Sequence, residues 1–157
     1  MCIRDSNCTV NKCSALSGKG GAVYSAAASS SSVIYNPNPK RNVIFSRSLF
    51  SHNSAFSGGV LYINGHYSHC MEFTDNTFVF NEATGNFTGG GVAFIGNTSL
   101  VITNGVFNNN MAATDGGVLD MSFSSVRIEL SSVSDNTAND NGGCLLYTSD
   151  AADDYSV

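Results

Sequence analysis

Apolar residues recur along this chain in short runs broken by Asn, Ser, Thr and Gly, and the runs align with one another. Four segments superimpose without gaps: VIFSRSLFSHN from Val43, MEFTDNTFVFN from Met71, LVITNGVFNNN from Leu100 and VRIELSSVSDN from Val126. Their starts lie 28, 29 and 26 residues apart. The third residue of each is apolar (Phe45, Phe73, Ile102, Ile128), and so is the eighth (Phe50, Phe78, Phe107, Val133). Each segment ends in Asn: Asn53, Asn81, Asn110 and Asn136. Between them runs a second signal, a Gly-Gly pair followed by apolar residues, starting at Gly20, Gly58, Gly90, Gly116 and Gly142.

Repeats of this length mark stacked units, none of which buries a core alone. The runs are rich in Val, Ile, Phe and Tyr and show no sustained helical period, so they read as strands. The expected fold is all-β: a single-stranded parallel β-helix of about four to five coils, each with three short strands and their turns, stacked about 4.8 Å apart. Like residues then form ladders. Phe50, Phe78, Phe107 and Val133 are expected in one inward column, and Phe45, Phe73, Ile102 and Ile128 in another. Asn53, Asn81, Asn110 and Asn136 are expected at one turn, where Asn tolerates a left-handed backbone and its amide bonds to backbone or to the next Asn. The glycine pair permits a sharp bend before the next strand. After it, Leu61, Ala93 and Leu119 share one facing, as do Ile63, Ile95 and Met121. The position between reads Tyr24, Tyr62, Phe94 and Asp120. An unpaired Asp is costly inside, so this column is expected to face out.

The motifs Phe-x-x-Asn (Phe50 to Asn53, Phe78 to Asn81, Phe107 to Asn110) and Gly-Gly-Ala/Val-apolar (from Gly20, Gly58, Gly90 and Gly116) resemble the repeats of the chlamydial polymorphic outer membrane proteins and related repeat proteins of other bacteria and protists. The resemblance covers most of residues 7–143. It implies a right-handed parallel β-helix passenger, displayed outside the cell and used for adhesion. Val133 in place of Phe, and Val in place of Ala after the glycines, keep the apolar character. The chain lacks the family's membrane-anchoring barrel.

The two ends read differently. Residues 1–6, Met-Cys-Ile-Arg-Asp-Ser, translate a DNA element whose reverse complement, read one base out of phase, encodes Cys-Leu-Leu-Tyr-Thr, the residues at 144–148. This resembles a transposase-type sequencing adapter entered from both sides. Residues 1–6 and 144–157 are therefore expected to be adapter-derived, and residues 7–143 a β-helix fragment of a longer protein. A native acidic tail is the alternative. No run in the remainder is long and apolar enough to span a bilayer. Net charge is −5 and only 12% of residues are charged, so the polarity comes from Asn, Ser, Thr and Gly. Such a surface lacks the basic stripe that nucleic acid requires.

Candidate chemistry is sparse. Cys8-Thr9-Val10-Asn11 reads as a variant Phe-x-x-Asn with Cys8 as a small buried hydrophobe; a Cys8–Cys13 disulfide and two free thiols both remain open. Ala26 to Asn42, with Pro37 and Pro39, reads as a protruding loop that suits a family-specific contact. His66, His69 and Cys70 form a lone cluster without a second ligand pair, which favours a turn with exposed histidines over a metal site; no cofactor is expected. Asn7, Asn86 and Asn97 begin glycosylation-acceptor triplets. The carboxylates Glu72, Asp75, Asp115, Asp120, Glu129 and Asp135 do not fall in pairs at one repeat position beside a base, as a glycosidase would need. The column Tyr24, Tyr62 and Phe94 is the candidate binding site, with outward rings available to sugars or a partner's apolar edge; the alternative is a column covered by loops, or one that faces inward with Asp120 marking a fraying last coil. The expected role is an extracellular or cell-surface adhesive or structural stalk, with surface proteins or glycans as partners. The alternative is a carbohydrate-active β-helix, a polysaccharide lyase, glycoside hydrolase or carbohydrate-binding module.

Overall fold

A computed structural model describes residues 3–26, 41–64, 69–86 and 89–148. Every regular element among them is a strand, and no helix long and apolar enough to cross a membrane occurs there. The strands run in sets of four. The first set is β1 (Ile3–Ser6), β2 (Thr9–Asn11), β3 (Ser14–Lys19) and β4 (Val23–Ala26). The second is β5 (Arg41–Ser46), β6 (Leu49–Ser51), β7 (Ser54–Ser57) and β8 (Leu61–Asn64). The third is β9 (His69–Thr74), β10 (Thr77–Val79), β11 (Glu82–Ala83) and β12 (Ala93–Gly96). The fourth is β13 (Ser99–Thr103), β14 (Val106–Asn108), β15 (Met111–Ala112) and β16 (Leu119–Ser122). The fifth is β17 (Ser125–Glu129), β18 (Ser132–Ser134), β19 (Thr137–Ala138) and β20 (Leu145–Thr148). Corresponding strands of successive sets pair in parallel, giving four five-stranded sheets: a β-solenoid in which each set is one rung.

Each rung therefore has four strands, not the three expected. The additional one carries a column the repeat alignment passed over: Ala15, Ala55, Ala83, Ala112 and Ala138, all in register. In three rungs this column lies in a two-residue strand, too short to show any alternation.

The expected ladders are present. In the first sheet Phe45, Phe73, Ile102 and Ile128 lie opposite one another. In the second sheet Phe50, Phe78, Phe107 and Val133 do so. The rings of Phe50, Phe78 and Phe107 stack at 4.9 Å, with planes 7° and 5° from parallel. That spacing is the rung separation itself, about 4.8 Å, so identical side chains in register stack without adjustment. These rings are fully buried, together with Leu61, Ile95, Leu119 and Met121 of the fourth sheet. Val133 holds the inward position of the last described rung and is 36% exposed, because no described rung follows to cover it.

The corner after the second sheet is an amide ladder. The backbone N–H and the Nδ2 of Asn53 both donate to Asn81 Oδ1 at 3.0 Å. Asn81 donates in the same way to Asn110 Oδ1, and Asn110 to Asn136 Oδ1. Each Nδ2 also donates to a carbonyl one rung back: Asn81 to Phe50, Asn110 to Phe78 and Asn136 to Phe107, each at 3.0 Å. The left-handed residue of this corner is not the Asn. It is the residue before it: Lys12, His52, Phe80, Asn109 and Asp135, with φ between 53° and 56°. The ladder Asn has its amide committed to the next rung, and the reversal falls on its neighbour, whose side chain points to solvent.

The first rung also departs from the expected register. Val10, not Cys8, lies opposite Phe50, and Cys13 takes the place of the ladder Asn, its N–H donating to Asn53 Oδ1 at 3.0 Å. The motif there is Val10-Asn11-Lys12-Cys13; matching on Asn11 shifted it by two residues. Cys8 sits at the previous corner, where its N–H donates to Ser48 Oγ at 3.1 Å. Neither cysteine is in a disulfide.

The glycine pairs have two separate reasons. The first glycine of each (Gly20, Gly58, Gly90, Gly116, Gly142) has φ between 59° and 79°. The second lies against the next rung: a Cβ on Gly91 would stand 2.2 Å from the Gly117 carbonyl oxygen. Strands also form at both ends, where Ile3–Ser6 pairs with Val43–Ser46 and Leu145–Thr148 with Leu119–Ser122. An edge of unpaired backbone accepts any β-compatible segment, and at the second end GGCLLY from Gly142 is similar enough to GGVLYI from Gly58 to pair. Residues 149–157 lie outside the described residues.

Candidate functional site: the aromatic column of the fourth sheet

Tyr24, Tyr62, Phe94 and Asp120 are in register, one rung apart. Their strand neighbours Leu61, Ile63, Ala93, Ile95, Leu119 and Met121 belong to the core cluster. Alternation along a strand therefore turns the column outward, as expected. The rings stack: Tyr24 on Tyr62 at 5.6 Å and 16°, and Tyr62 on Phe94 at 4.9 Å and 10°.

Outward placement does not make the column an open surface, and here the expectation is corrected. Tyr62 is only 5% exposed. Its two faces are covered by Tyr24 and Phe94, and its hydroxyl accepts a hydrogen bond from Lys19 Nζ at 3.0 Å. The ammonium stands 4.4 Å from the ring centroid, a cation–π contact. Stacking on a sugar needs a ring face, and stacking along the column consumes the faces of the middle ring. Phe94 is half-buried, and Tyr24, at the end of the column, is 59% exposed.

Lys19 was not singled out by its sequence context. It arrives through a bulge: Ala15 pairs with Ala55 and Lys19 with Ser57, so three residues of β3 oppose the single Phe56 of β7. Such a bulge re-aims the side chain that follows it. The hydrogen bond from Lys19 to Tyr62 raises the lysine pKa, outweighing the opposing effect of partial burial. The sequence sign was an Ala-to-Gly-Gly spacing two residues longer than that of the next rung.

Asp120 led to the outward assignment on the premise that an unpaired Asp is costly inside. It is nevertheless 7% exposed, and its Oδ2 accepts the Gly89 N–H at 2.9 Å. Desolvation raises its pKa above the ordinary carboxylate value, the Gly89 hydrogen bond opposes this, and the nearby charge of Asp115 adds to the rise. Gly89 belongs to the longer connection between Ala83 and Gly90 in the preceding rung.

The other candidate carboxylates are dispersed, and three of them are engaged. Asp75, at the corner after the first sheet, accepts from Asn104 Nδ2 at 2.7 Å. Asp115 Oδ1 accepts from both the backbone N–H and the Nδ2 of Asn141. Glu129 pairs with Arg127 on its own strand. Glu72 lies opposite Val101, and Asp135 occupies the left-handed corner of the second sheet. Among the described residues no three His, Cys, Asp or Glu side chains gather as metal ligands. His66 and the side chains of His69 and Cys70 lie outside the described residues, as does 27–40 of the expected protruding loop. Of the acceptor asparagines, Asn7 and Asn86 are exposed, while Asn97 is half-buried with its Nδ2 on Asn64 Oδ1 at 3.2 Å. Comparison of the chain with family models, with curated proteins and with solved structures finds no match.

Proposed function

We propose that this chain is a rigid β-solenoid stalk of an extracellular or cell-surface protein, serving a structural and adhesive role like that of the repeat proteins its motifs resemble. The observation that carries this reading is the amide ladder from Asn53 to Asn136 beside the stacked phenylalanines. Both are devices that hold one rung to the next at constant spacing, and a stalk needs that property. Of the carboxylates that a carbohydrate-active β-helix would gather on one face, Asp75 and Asp115 are instead bonded to turn amides, Asp120 to Gly89 and Glu129 to Arg127.

The test has two arms. Beads coated with the chain are assayed for attachment to cultured cells and immobilised glycans, with the heat-denatured chain as control. The soluble chain is incubated with neutral and acidic polysaccharides, and new reducing ends and unsaturated products are measured. Attachment that needs the folded chain, without cleavage, supports the stalk. Cleavage of any polysaccharide overturns it in favour of the enzyme, and attachment equal to the denatured control removes the adhesive role.

A further inference from the structure

We propose that Tyr24 and Lys19 together form a binding site for an anionic sugar unit, a ring with one apolar C–H face and a carboxylate or sulfate substituent. Tyr24 ends the aromatic column. One face rests on Tyr62, and the ring remains 59% exposed. It is therefore the ring of this column with a face to offer, and an exposed ring backed by a stacked partner is a flat platform that does not collapse on binding. The bulge in β3 brings Lys19 to the neighbouring ring of the column, where its ammonium is held by the Tyr62 hydroxyl and ring. A lysine anchored at two points loses less side-chain freedom on binding an anion than one free in solution. Like any lysine with a pKa of 10.5 or above, it is charged at neutral pH. In a chain of net charge −5 with 7 Lys and Arg residues, a cation fixed on the ring that backs this exposed tyrosine is a local exception to the acidic surface. A neutral sugar would use the ring alone, whereas a carboxylated or sulfated one uses both groups.

Isothermal titration calorimetry at low salt, with the full chain, compares a carboxylated hyaluronan tetrasaccharide, a sulfated heparin tetrasaccharide and neutral cellotetraose. At least one anionic probe is expected to bind about tenfold tighter than the neutral one. Which anionic probe binds identifies the substituent. Tyr24→Ala is expected to weaken that binding about tenfold, and Tyr24→Phe to retain it. Lys19→Gln is expected to abolish the preference for charge. Melting curves of each variant separate loss of the site from loss of the fold, and saturation-transfer contacts to the wild-type tyrosine ring test the site where a variant does not fold. No binding by either anionic probe, equal binding of the neutral one, unchanged affinity in folded Tyr24→Ala, or absence of ring contacts overturns the proposal. None of these results bears on the stalk, whose test is attachment and absence of cleavage.

Discussion

At the residue scale, the corner after the second sheet separates two demands that the motif had merged. The ladder Asn needs its amide, and the residue before it needs the left-handed backbone. Asn81→Ala would remove the acceptor of the Asn53 N–H and the donor to the buried Phe50 carbonyl. Leaving such groups unpaired is expected to cost about 3 kcal/mol or more, read from chemical denaturation. A loss below about 1 kcal/mol would mean that the ladder is not a stabilising element. The reverse gain is available at Leu130. Its φ is +50° and its side chain is 86% exposed, so it bears the left-handed cost with little packing in return. At the equivalent place in the preceding rung stands Asn104. Leu130→Asn is expected to stabilise by about 1 kcal/mol, seen as a raised denaturation midpoint with unchanged slope.

At the element scale, the glycine pairs set how closely rungs can stack. The first glycine serves the turn, whereas the second is excluded from carrying a side chain by the rung above. Gly91→Ala would place its methyl 2.2 Å from the Gly117 carbonyl and 2.7 Å from that of Met111, both backbone and unable to swing aside. It is expected to cost about 2–3 kcal/mol, with amide exchange rising first in β11, β12, β15 and β16. Uniform exchange throughout the chain would show instead that the solenoid opens as one unit. The bulge in β3 shows the same element tolerating extra residues where solvent lies outside it.

At the scale of the whole molecule, one covered carboxylate gives the solenoid a pH dependence. Asp120 titrates above its ordinary value of 3.8 in the folded chain because burial disfavours its charge. A folded state that holds its proton to higher pH binds more protons than the unfolded state in that window. Stability from this group is therefore greatest at acid pH and falls as pH rises from about 4 through the raised value. Asp120→Asn is expected to flatten that part of the stability profile and, while still able to accept the Gly89 N–H, to raise the melting temperature at neutral pH. A profile unchanged by the substitution would place the pH dependence elsewhere.

The ladders were legible in the sequence because, in a parallel solenoid, residues one repeat apart in the chain are neighbours in space. Aligning segments by residue type is then the same operation as pairing strands. Phe50 with Phe78, Asn81 with Asn110 and Tyr62 with Phe94 needed nothing more. What failed was whatever repeat position does not encode. The Ala55, Ala83 and Ala112 strand was too short to show a period, and Cys13 carries no sign that it stands where others have Asn. Exposure was decided by tertiary structure alone. The strand pattern turned Tyr62 and Asp120 outward, but outward in a solenoid means only away from the core. Stacked neighbours, a lysine re-aimed by a bulge and the backbone N–H of Gly89 then engaged them, through contacts that depend on loop length and path and not on alternation along a strand.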